Sequence, residues 1–161
     1  MCRRERRTTQ ARQMNPSAMV PALERILLTL WVGSLWVTGF MVAPVLFTVL
    51  EDRALAGTLA GELFGITAWI GLVCGVLLLA FNAVNFRGLN WRGLLLAGML
   101  LLVIIGQFVL APMIAGLREQ GLSGSPRFGQ LHGLASILYV ITSLLGLILV
   151  AARPGKQSAP A

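Results

Sequence analysis

Residues 93–117 read GLLLAGMLLLVIIGQFVLAPMIAGL, 25 residues without an Asp, Glu, Lys or Arg. An α-helix rises about 1.5 Å per residue, so such a run crosses a hydrocarbon layer about 30 Å thick with some tilt. Working outward, Ile26–Leu50, Leu63–Phe86 and Phe128–Ala152 have the same character. The pattern predicts an all-α integral membrane protein, a four-transmembrane-helix bundle. Its spans are expected at about 26–50, 60–82, 93–117 and 130–152, within a membrane domain over 23–152.

Composition points the same way. The chain is 57% hydrophobic and 12% charged, with a mean hydropathy of +0.81, far from a soluble domain of this length. The spans use most of the residues, so a binding site has to lie between helices or at their ends. The net charge of +7 does not call for nucleic acid, because the cations flank membrane segments. The expected partner is the lipid bilayer.

Arg3, Arg4, Arg6, Arg7, Arg12 and Arg25 precede or open the first span; Arg87 and Arg92 lie in the second connection; Arg153 and Lys156 follow the last span. The other two connections hold Arg53, then Arg118 and Arg127, diluted by Glu51, Asp52, Glu62 and Glu119. Positively charged loops stay on the cytoplasmic side, so both termini are expected there. Trp31 and Trp91, near span ends on that side, are expected at the interface.

The first run is too long for a signal peptide and lacks a small-residue cleavage site, so it reads as a retained span. Residues 1–22 read as a mobile basic tail and 153–161 as a second cytoplasmic tail, with Met14 and Met19 as alternative starts. Cys2 and Cys74 form no CxxC and no disulfide framework; both read as free thiols, Cys74 as ordinary packing.

The chain also resembles itself. A shift of 68 residues puts Phe40 on Phe108, Ala43-Pro44 on Ala111-Pro112, Glu51 on Glu119, Leu63 on Leu131 and Gly65 on Gly133. The expectation is two repeated helix pairs related by a pseudo-two-fold axis along the membrane normal. Proline lacks an N–H and crowds the carbonyl one turn earlier. Pro44 and Pro112 are therefore expected to bend their helices or loosen the last turns toward the outer face, freeing carbonyls for a polar cavity. A tolerated packing kink is the plainer reading.

Gly57, Gly61 and Gly65, continued by Gly71 and Gly75, let another backbone approach the second span, either inside the bundle or across a homo-oligomer interface. Polar groups in the slab are few. Glu62, Gln107, Gln130 and His132 form the candidate polar site. Glu62 and His132 fall at similar depth, and a contact between them would keep the carboxylate ionised and favour protonated imidazole. Snorkelling to water or capping a helix is the alternative for both.

No HExxH, paired intramembrane carboxylates, Gly-rich phosphate loop or serine elbow is present, so no catalytic residue, metal site or cofactor is expected. A single histidine rules out two-histidine haem ligation within one chain. His132 with Met113 is the remaining pair, and sulfur on apolar helices is usually core.

The stretch Leu35-Trp36-Val37-Thr38-Gly39-Phe40-Met41-Val42-Ala43-Pro44-Val45-Leu46-Phe47, followed by Arg53-Ala54-Leu55-Ala56-Gly57 and Leu63-Phe64, resembles bacterial members of the domain of unknown function 4149 family, the transmembrane protein 205 like group. Phe128-Gly129-Gln130-Leu131-His132-Gly133-Leu134-Ala135-Ser136 is similar to that family's His-Gly segment. The resemblance covers roughly residues 25 to 150. It implies a four-span protein of a bacterial inner membrane with no assigned activity. An animal relative associated with platinum-drug resistance and vesicle trafficking implies handling of soft metals or small toxic solutes. Family members often carry Ser after His-Gly-x, where this chain has Ala135 and then Ser136. A distant similarity to the copper-resistance D group transfers no metal ligands, because the histidines are lacking.

Two function classes follow. One is a small bundle that aids export of, or tolerance to, a small solute or soft-metal toxicant. The other is a noncatalytic partner that assembles with or stabilises another membrane protein.

Overall fold

The computed structural model describes residues 16–85 and 90–152, and every regular element among them is helical. The first span comprises α1 (Pro16–Trp36), a π-helical turn π1 (Val37–Val42) and α2 (Ala43–Val49). The second is α3 (Arg53–Asn85); the third is α4 (Trp91–Ile105), π2 (Gly106–Leu110) and α5 (Ala111–Glu119); the fourth is α6 (Pro126–Ala151). Four stretches, Val20–Val49, Arg53–Val84, Trp91–Glu119 and Pro126–Ala151, are long and apolar enough to cross a membrane. This is a multi-pass membrane protein. The arginines before residue 16, with Cys2, Arg87, Arg153 and Lys156, lie outside the described residues.

Polar side chains, rather than the edges of the apolar runs, decide where the helices open. Asp52 Oδ1 accepts the Ala54 and Leu55 N–H groups at 2.8 and 3.2 Å, so α3 starts at Arg53, ahead of the expected 60. Ser125 Oγ accepts the Phe128 N–H at 3.2 Å with proline next in line, so α6 starts at Pro126 rather than 130. Asn90 Oδ1 accepts the Gly93 N–H at 2.7 Å ahead of α4. Pro16 suits a first helical position, and residues 16–22, expected as tail, are helical. At the far end of α5 the chain closes with Gly121 at φ 71° and bonds from Leu122 N–H to Leu117 C=O and Gly121 N–H to Arg118 C=O, both 2.9 Å. That is a Schellman stop, in which glycine tolerates the left-handed backbone.

Each span packs on the next, and the fourth closes on the first, so the spans form a ring in chain order. We call the end where α1 begins and α6 finishes proximal, and the opposite end distal. The proximal half holds the packed core, built on Trp31, Leu78, Met99, Leu100 and Leu149, with Cys74 among them. Trp31 is fully buried here, not interfacial as its sequence position suggested. Because α1 opens at Pro16, residue 31 is about four turns into the helix. Trp91 is half-exposed at the start of α4, with the Arg92 guanidinium 6.0 Å from its ring centre. Arg92 also pairs with Glu24 at 3.1 Å and donates to Ala152 C=O at 3.4 Å, tying three spans together at the proximal end.

The loosening expected at the prolines lies before them, not in the turns beyond. Ala43 N–H donates to Thr38 C=O and Ala111 N–H to Gly106 C=O, each five residues back. The wide turns therefore lie before Pro44 and Pro112, and α2 and α5 beyond them are regular α-helix. Widening relieves the crowding of each proline ring against the carbonyl one turn earlier, on Phe40 or Phe108. Both wide turns fall at matching places under the 68-residue shift.

Candidate functional site

The closest packing in the distal half is within each helical hairpin: π1 and α2 lie against α3, while π2 and α5 lie against α6. Side chains bridge the seam between the two hairpins. On the second span the bridge rests on glycine. A methyl group at Gly57 would stand 3.4 Å from Arg118 Nη2, one at Gly61 would stand 3.5 Å from Arg118 Nη1, and one at Gly65 would stand 3.7 Å from Gln107 Nε2. Gln107 comes from π2 and Arg118 from the last turn of α5. Both are partly buried. Among the described residues neither side chain makes a hydrogen bond or an ion pair. Trp69 and Phe108, edge to face at 6.0 Å, close the seam beside them.

Further along α3 the same stripe is tightly filled. Gly71 lies against Trp31, whose indole N–H finds no acceptor among the described residues. A methyl at Gly75 would meet Leu100 Cδ2 at 2.6 Å and Trp31 at 2.9 Å. All five glycines thus receive side chains of their own chain.

The first hairpin is stitched to the fourth span by Tyr139. Its hydroxyl donates to Leu35 C=O at 2.6 Å, and its ring presses on Gly39, the residue whose N–H a continuous α-helix would pair with that carbonyl. Phe64 meets the same ring edge-on at 5.0 Å across the diagonal of the bundle. Thr38 and Thr67 share a 2.9 Å hydrogen bond. Since Thr67 donates to Leu63 C=O at 2.9 Å, the proton between the two hydroxyls comes from Thr38. The wide turn π1 is held on two sides, whereas π2 offers Gln107 without a partner.

Of the four polar residues singled out in the sequence, Gln107 alone enters the seam. Glu62 is exposed on α3 and His132 is exposed on α6, on diagonally opposite spans, and no hydrogen bond or ion pair joins them. His132 instead stacks parallel on Phe128 with centroids 5.9 Å apart, and Gln130 is exposed beside it. Ser136 Oγ folds back onto His132 C=O at 2.9 Å. Arg118, Tyr139, Thr38 and Thr67 were missed. One signal was available: Tyr139 is the only tyrosine of the chain and lies in a charge-free run.

The family model described as domain of unknown function (DUF4149) matches residues 26–123. The chain belongs to the DUF4149 family. The DUF4149 match takes in the first span from residue 26, the second and third spans, both Ala-Pro pairs, the glycine stripe, Gln107 and Arg118, and ends before α6. No curated protein and no solved structure matches the chain.

Proposed function

We propose that this DUF4149 protein handles a small solute at the distal seam of its bundle, aiding export or tolerance, and that it is not an enzyme. One observation carries the reading. In the distal half, beside the buried Ala56, Ala60, Leu110 and Ile114, two polar side chains, Arg118 and Gln107, lie on a glycine face and are satisfied by no other described residue. Polar groups among membrane helices are costly unless paired or wet, so an unpaired Gln107 below an unpaired Arg118 at the span end marks a place where solvent or ligand enters. With the arginine-rich ends on the cytoplasmic side of a bacterial inner membrane, the seam opens outward.

A deletion strain compared with its parent across metals, drugs and pH tests this. The expected outcome is sensitivity to a particular solute with altered uptake, restored by the wild-type chain and not by Gln107→Leu. Unchanged growth and uptake across the panel would sink the reading.

A second reading has its own support. π1 and α2 contain no buried residue and expose Phe40, Met41, Val45 and Phe47. A noncatalytic role in assembling with another membrane protein would use such a face. Copurification of a defined complex without solute sensitivity favours that role.

A further inference from the structure

The geometry points to the chemical class of the ligand: an oxyanion, a carboxylate or phosphate group, received by Arg118 at the distal mouth of the seam. This rests on the solute-handling reading above. A guanidinium offers five N–H donors in a rigid fork and no acceptor, and it matches the paired oxygens of carboxylate and phosphate. Such a group, partly buried and unpaired at the end of a span, attracts a counter-charge.

The chain supplies none among the described residues. The one ion pair there, Arg92 with Glu24, lies at the proximal end. Glu119, next to Arg118, and Glu62, next to Gly61, are exposed and make no ion pair. The guanidinium does not reach out past the end of α5 but lies back on α3. Its Nη2, Cζ and Nε atoms are 3.4, 3.6 and 3.6 Å from where a Gly57 methyl would stand, so the flat face rests on the ledge. Its N–H groups make no hydrogen bond or ion pair with any described residue.

Gln107 adds a second donor deeper in the seam. From Gly61, beside Arg118 Nη1, to Gly65, beside Gln107 Nε2, is four residues, or about 6 Å of rise. One ligand can therefore place its charged oxygens on Arg118 and a further acceptor on Gln107. A cationic solute would instead meet a like charge at the mouth.

The anion has two sources, a lipid headgroup or a soluble solute, and the test separates them. The full chain in a phosphate-free detergent is titrated with phosphatidylglycerol in one arm and with inorganic phosphate or acetate in the other, and the thermal unfolding midpoint is read. Saturable stabilisation is expected in one arm, and that arm names the source. Arg118→Gln weakens the apparent affinity by about tenfold or more, and Arg118→Lys, with the charge but no fork, weakens it less. Arg127→Gln, at an exposed cation of the same end, leaves it unchanged. Should Arg118→Gln misfold, Gly61→Leu displaces the guanidinium while keeping its charge and gives the same loss.

No saturable effect in either arm, or an equal loss in Arg127→Gln, overturns the inference. Running Arg118→Gln in the deletion strain separates this from the broader reading. Lost anion binding with intact tolerance discards solute handling and keeps the site; intact binding with lost tolerance does the reverse.

Discussion

The two halves of α3 use the same residue for opposite ends. At Gly71 and Gly75 the helix is pressed against Trp31 and Leu100 so closely that a methyl has no room. At Gly57, Gly61 and Gly65 a methyl would sit in ordinary contact with Arg118 and Gln107. Glycine near the proximal end admits bulk into a dense core; near the distal end it leaves a smooth shelf for polar side chains that nothing else grips. A small-residue stripe in a membrane helix therefore does not announce its purpose. What settles on it does.

Variants can break or sharpen this contrast, read as unfolding free energies in detergent micelles. The largest effect is expected for Trp31→Ala, about 3–5 kcal/mol, because a fully buried indole leaves a cavity between α1, α3 and α4. Gly75→Ala follows at about 1–3 kcal/mol from overpacking against Leu100 and Trp31. Tyr139→Phe should cost about 1 kcal/mol by removing the only side-chain donor to Leu35 C=O among the described residues. Gly57→Ala comes last, neutral to stabilising by up to about 1 kcal/mol, since alanine favours the helix and meets no clash. If Gly57→Ala proves as damaging as Gly75→Ala, the two halves are packed alike and the contrast is gone.

Much of the architecture was legible because lipid imposes it. Four charge-free runs become four membrane-length helices, since unpaired backbone polar groups are not tolerated in hydrocarbon. Their starts were less legible, because Asp52 and Ser125 begin helices ahead of the apolar runs and periodicity does not register a cap. Trp31 was misplaced for the same reason: its depth depends on a start at Pro16 that the Arg-rich flank obscured. Of the candidate seam only Gln107 was legible. Matching depth suggested Glu62 and His132, but depth says nothing of which way a side chain faces, and both are exposed on their helices, whereas Phe64 and Tyr139 of the same two spans face inward and meet. Arg118 was counted as loop charge, because a side chain long enough to fold back along a neighbouring helix cannot be placed from its own position.

The wide turns before Pro44 and Pro112 also act on everything that follows them. An α-helix advances each residue by about 100° around its axis, so one extra residue taken up in a turn rotates the downstream segment by about that angle. A helical wheel drawn in a single phase through Val20–Val49 or Trp91–Glu119 misassigns every position past π1 or π2. Which side of α2 and α5 meets lipid is thus set by a dial located upstream, and one deleted residue in either wide turn would reset it without touching a single downstream side chain.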